Sequence, residues 1–177
     1  MTILVIVIGS VMLAVLVVLA VASSKEDEFR VERHVVINAS AEKIFPWLED
    51  PRLTTEWSPW EKKDPNLKKT FSGAEKGVGA VYEWEGNKEI GAGRLEITEV
   101  VPAKRVIMDL RFFRPMKGEN IAEYNVRPEA GGTEVKWSIR GPMPFMTKVM
   151  SVFMDMDKMI GGEFEKGLND LKGLAER

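Results

Sequence analysis

Cysteine is absent and histidine occurs once. The first absence excludes disulfides, thiol nucleophiles and thiolate metal sites, and the second leaves His34 too few partners for a histidine-based triad or metal cluster. Neither sign of charge dominates. The 25 basic and 27 acidic residues are interspersed, with a net charge of −2, so there is no basic face to neutralise phosphates and nucleic acid is not an expected partner. Gly86, Gly91 and Gly93 lie in a hairpin without the following helix that a dinucleotide site needs. No nucleotide or other cofactor is implied, and no metal. Internal repeats and low-complexity tracts are also lacking.

Charge is missing from one stretch altogether. Thr2 to Ala22 is 21 residues without an ionisable side chain, which at helical rise spans roughly the 30 Å of bilayer hydrocarbon. It reads as a membrane anchor. The rival reading is a cleaved signal peptide, because Ala20-Val21-Ala22 before Ser23 has the small-x-small form of a cleavage site; against it, no Lys or Arg precedes the run and the run is long for a signal core. Positive charge follows the span at Lys25, Arg30 and Arg33, which favours a single-pass topology with a cytoplasmic domain. The expected organisation is an anchor over 1–24, a linker over 25–28 and one domain over 29–177. That domain is long enough to bury its own core. The sequence is silent on oligomeric state.

Within the domain, Phe29, Val31, Val35 and Ile37 alternate with polar residues, as in a half-buried strand, with Arg33 interrupting the apolar face. His34 falls on the wet face. Ser40 caps a short helix carrying Ile44, Phe45, Trp47 and Leu48, which Pro46 and Asp50-Pro51 limit, and a second brief turn or helix is expected over 52–56. Trp57-Ser58-Pro59-Trp60 puts two indoles in a connection, where they either plug a core or line its mouth. Further strands are expected at 67–71 and 78–84, around Leu95 and Ile97, over 105–112, around Tyr124, and over 135–139, with turns at Glu85–Lys88, Pro102-Ala103, Met116–Gly118 and Gly131-Gly132. A meander of that size has one apolar face to cover.

Its cover is the stretch from Met143 to Arg177, where Phe145, Val149, Val152, Met156, Ile160, Phe164, Leu168 and Leu171 recur at steps of three or four. This predicts one long amphipathic helix with a bend at Gly161-Gly162, since each glycine costs about 1 kcal/mol relative to alanine. Six of the ten methionines lie in its first half. Their flexibility suits a wall that adapts to an apolar ligand.

The strand-to-helix run Val36-Ile37-Asn38-Ala39-Ser40-Ala41-Glu42-Lys43-Ile44-Phe45, the Gly77-Val78-Gly79-Ala80 lead into a strand, the Trp57–Trp60 loop, Tyr82–Asn87 and Gly91-Ala92-Gly93 resemble the START-like, helix-grip superfamily, also called SRPBCC, in its polyketide cyclase/dehydrase-like branch. The resemblance covers Phe29 to Arg177. It implies an α+β fold in which a curved antiparallel sheet of six to seven strands wraps around the C-terminal helix, with a cavity between them for lipids, sterols, polyketides or other apolar molecules. Function varies widely on such a scaffold, so the fold supplies a cavity and no particular reaction.

The reading that follows is a membrane-anchored module binding a lipid or other hydrophobic small molecule. Its candidate lining is Tyr82, Trp84, Leu95, Met108, Leu110, Phe112, Tyr124, Trp137, Met146, Met150 and Phe153. The alternative is a cyclase or dehydratase acting by acid–base chemistry in the same cavity. Its candidate groups are Tyr82 and Tyr124, with Glu83, Arg94 or Glu123 if strand register turns them inward. They form no recognisable catalytic constellation, and no catalytic residue is assigned.

Overall fold

Alternating apolar and polar residues produce seven strands, and every neighbouring pair is antiparallel. The computed structural model describes residues 2–177. Helix α1 (Thr2–Ser23) precedes β1 (Glu28–Ile37), three short helices α2 (Ala41–Ile44), α3 (Pro46–Glu49) and α4 (Pro51–Trp57), and a 3-10 turn at Pro59–Lys63. Then come β2 (Lys68–Gly73), β3 (Ala80–Glu85), β4 (Ala92–Val101), β5 (Arg105–Arg114), β6 (Gly118–Glu129) and β7 (Gly132–Pro142), followed by α5 (Phe145–Met150) and α6 (Met156–Ala175). The sheet order is β1-β7-β6-β5-β4-β3-β2. The first strand closes against the last, and α6 lies on the inner face, giving the helix-grip arrangement.

The register sorts the inner face into rows. Val31, Ile139, Ala122, Met108 and Ile97 form one row, and Arg33, Trp137, Tyr124 and Val106 the next. Every apolar member of both is buried. Phe164, Leu168 and Leu171 of α6 cover them, and the Phe164 ring stacks on Trp137 at 3.9 Å. Trp57 fills the remaining space, edge-on to Trp137 at 5.3 Å, with its indole N–H donating to the Trp47 carbonyl at 3.0 Å. In the Trp57–Trp60 connection it is therefore Trp57 that plugs the core, while Trp60 stays half-buried beside Lys63.

The C-terminal stretch differs from the expected single helix. It breaks at Ser151–Asp155, ten residues ahead of the glycine pair, and Asp155 caps α6 by accepting from the Lys158 N–H at 3.0 Å. Gly161 and Gly162 lie inside α6. The glycine at 161 serves packing, because the Arg33 guanidinium occupies the space where its side chain would begin. Arg33 holds that position by donating to Asp157 and Glu165, each at 2.7 Å.

Helix α1 is long and apolar enough to cross a membrane, and its described side chains are exposed along most of its length. It contributes to the domain only at its end, where Ala22 is buried.

Candidate ligand site

One further inner row crosses the whole sheet: Phe29, Gly141, Asn120, Leu110, Leu95, Tyr82 and Phe71. Apart from Gly141, all are only half-buried, in contrast to the sealed row beside them. The helix break explains the difference. Helix α6 begins beside Arg33, two rows further in than Phe29, so it leaves this end of the sheet as a shelf.

Aromatic side chains line the β2–β5 half of the shelf. Phe71 stacks on Tyr82 at 5.2 Å, Tyr82 meets Trp84 at 5.8 Å, and Trp84 meets Phe112 edge-on at 5.8 Å. The Trp84 indole lies across Gly93, where any side chain would collide with it. A polar group sits among these rings. The Tyr82 hydroxyl donates to Glu61 Oε1 at 2.5 Å, and Lys69 pairs with the other carboxylate oxygen. Glu61 is carried in by the 3-10 turn, and its side chain is only 9% exposed. Burial, with help from Glu61, pushes the Tyr82 pKa far above its ordinary value, so the phenol stays protonated and acts as a donor.

At the β1 end the shelf opens into a cleft of about 520 Å³. Phe29, Val31, Met143, Val152, Phe153 and Met156 give it apolar walls, with Lys25, Arg30, Ser151, Asp155 and Asp157 at its margin. A second groove of about 520 Å³ runs between the 3-10 turn and α6, lined by Lys62, Lys63, Glu163, Lys166, Asn169 and Asp170 beside Pro59. The first is walled by apolar side chains, whereas in the second charged side chains and their methylene stems surround Pro59.

The eleven residues expected to line a cavity therefore fall into three groups. Tyr82, Trp84, Leu95, Leu110 and Phe112 lie together on or beside the shelf. Met108, Tyr124 and Trp137 are sealed in the core, where burial pushes the Tyr124 pKa well above the usual tyrosine range. Met146, Met150 and Phe153 belong to α5 and the segment after it, and all three are exposed. Helix α5 packs against the end of α1, and Trp137 meets α6. Of the alternative acid–base groups, Glu83, Arg94 and Glu123 point outward. Arg94 pairs with Glu96 at 2.7 Å, and Glu123 accepts from Asn125 at 2.7 Å. His34 is exposed on that outer face, opposite Lys136. Among the described residues, no group of three His, Cys, Asp or Glu is placed to hold a metal.

Glu61, Lys69, Phe71, Asn120, Phe29, Met143 and Val152 are among the site residues that sequence reasoning missed. Phe29 and Val152 already carried periodic apolar signals. The burial of Glu61 in a lysine-rich turn had no local signal.

A curved antiparallel sheet gripping a C-terminal helix, with one inner row left open, defines the helix-grip class. The chain belongs to the family described as polyketide cyclase / dehydrase and lipid transport, whose profile matches residues 28–176. Among solved structures, protein CV1439 from Chromobacterium violaceum is similar at 17% identity with a TM-score of 0.59, covering 85% of this chain and 98% of its own. The Aha1 protein of Colwellia psychrerythraea is 18% identical with a TM-score of 0.59, covering 84% and 96%. The di-domain ARO/CYC protein StfQ of the steffimycin biosynthetic pathway is 10% identical with a TM-score of 0.62, covering 84% of this chain and 51% of that protein. At these identities the likeness is one of fold. No curated protein matches the sequence.

Proposed function

We propose that the chain is a membrane-anchored binding module for a lipid or other hydrophobic small molecule, with α1 spanning the bilayer and the domain on the cytoplasmic side. The observation that carries this reading is the half-open inner row leading into an apolar cleft of about 520 Å³, a volume within the usual range for small-molecule sites. Asn120 and the hydroxyl of Tyr82 supply the few polar groups that fix orientation on such a surface.

The test is to fill the cleft. Val152→Trp places an indole in the ligand's space from a half-buried position. The expected result is a melting temperature near wild type together with loss of the fluorescence rise of Nile red. A drop of roughly 1–3 kcal/mol, the usual cost of overpacking, would mean that the space is ordinary core. Unchanged dye binding in a folded variant would place the ligand elsewhere.

A second reading, acid–base cyclisation or dehydration, is favoured by one observation: Tyr82, Glu61 and Lys69 form a donor–carboxylate–ammonium trio whose carboxylate is largely buried beside aromatic rings. Native mass spectrometry of the full chain taken from its membrane separates the two. A carrier retains one intact molecule, whereas a dehydrating enzyme retains a pair of masses differing by one water.

A further inference from the structure

Outside α1, nine large apolar side chains stand exposed among the described residues: Val78, Phe113, Met116, Phe145, Met146, Met150, Phe153, Met154 and Met159. They are not scattered. Phe113 and Met116 lie at the β5–β6 turn, and Phe145 to Met154 follow the end of β7, so seven of the nine crowd the end of the sheet where β1 begins. Phe153 and Met146 are the most exposed, at 73% and 69%. Single exposed apolar residues are ordinary, but a contiguous group marks a contact surface.

The fold fixes this surface against the end of α1. The Lys25 ammonium donates to the carbonyl and hydroxyl oxygens of Ser151 at 2.8 and 2.9 Å. The buried Lys148 ammonium donates to the Lys25 carbonyl at 2.8 Å and to Asp27 at 2.6 Å. Helix α5 is therefore clamped to residues 25 and 27, immediately after the point where α1 ends at Ser23. If α1 occupies the hydrocarbon layer, α5 sits at the headgroup level by construction. Its face of Phe145, Met146 and Met150 then meets lipid, while Lys148 turns inward.

We infer that α5 and the segment 151–154 lie in the interfacial layer of the same bilayer that α1 crosses, with the mouth of the apolar cleft turned toward it. This rests on the anchored reading of α1. Phe153 and Met154 both line the cleft and belong to the exposed group. An apolar molecule thus passes between bilayer and cleft along one continuous apolar surface. Interfacial helices of this kind bury their apolar face by roughly 5–10 Å at the headgroup boundary.

The absence of cysteine makes the test direct. Met146→Cys and Phe153→Cys each carry one environment-sensitive nitrobenzoxadiazole label in the full chain, reconstituted into phosphatidylcholine vesicles. Ala130→Cys and Lys104→Cys, in turns at the opposite end of the sheet, are the controls. The expected result is that doxyl-labelled phosphatidylcholine quenches the labels at 146 and 153 at least threefold more than those at 130 and 104. Equal quenching in chains that float with the vesicles would overturn the docking while leaving the anchor intact. Chains that start at Ser23 by intact mass, or that do not float, would overturn both.

Discussion

The guanidinium of Arg33 rests on the backbone of Gly161, with Asp157 and Glu165 on either side of it. An arginine on an inward-facing strand position is costly unless paired. Here the pairing partners come from the first three turns of the helix that covers the sheet. This contact sets where α6 begins along β1, and so how much of the inner face is left open.

Two adjacent glycines accordingly respond in opposite ways. Nothing lies near the side-chain position of Gly162, so Gly162→Ala is expected to stabilise the protein by about 1 kcal/mol through helix propensity. Gly161→Ala displaces Arg33 from its carboxylates and is expected to destabilise. In an Arg33→Ala background, Gly161→Ala recovers the gain. Thermal unfolding of the double-mutant cycle checks this, and equal effects at the two glycines would refute the packing role.

The same pair gives a pH dependence. Hydrogen bonding to Arg33 holds the Asp157 carboxyl below its ordinary pKa. A carboxyl lowered in the folded state contributes stability above its unfolded pKa of about 4, and that contribution is lost as pH falls through the folded value. Asp157→Asn should therefore lower the melting temperature at pH 7, with the gap to wild type closing below about pH 4. The gap will be modest, because the carboxylate is more than half exposed.

Much of the sheet was legible because strand alternation is a local signal: β5 runs Val106, Met108, Leu110 and Phe112 inward, as read. The break before α6 was not. Phe145 to Leu171 keep a helical period straight through it, so periodicity could not register the interruption, and the glycine pair drew attention to the wrong place. Asp155 three residues ahead of Lys158 was the available sign, an N-cap within an apolar run. Because the break shifts α5 out to α1, it also explains why Met146 and Met150 left the predicted lining, while Phe153 stays at the cleft and the strand residues on the shelf remain together.

The core prediction follows from the Trp137–Phe164 stack. Phe164→Ala removes the ring that covers the central row and is expected to cost about 3–5 kcal/mol. Met146→Ala, at an exposed site, should stay within about 0.5 kcal/mol of wild type in detergent. Denaturant unfolding of the full chain distinguishes them. Comparable losses would mean that α5 belongs to the core after all.

Tyr82 and Glu61 provide the last prediction, which concerns how the shelf tolerates a buried carboxylate. Tyr82→Phe keeps the ring on Phe71 and Trp84 but leaves Glu61 Oε1 without the hydroxyl that now donates to it. A buried acceptor left unsatisfied costs about 1–3 kcal/mol. Replacing both partners removes the need: Tyr82→Phe with Glu61→Leu is expected to regain most of that loss, since Lys69 is partly exposed and reaches water once its partner is gone. The readout is the coupling energy from chemical denaturation of the two single variants and the double. Simple additivity would show that the two groups do not depend on one another, and the trio would then have no claim to act as a unit on a bound ligand.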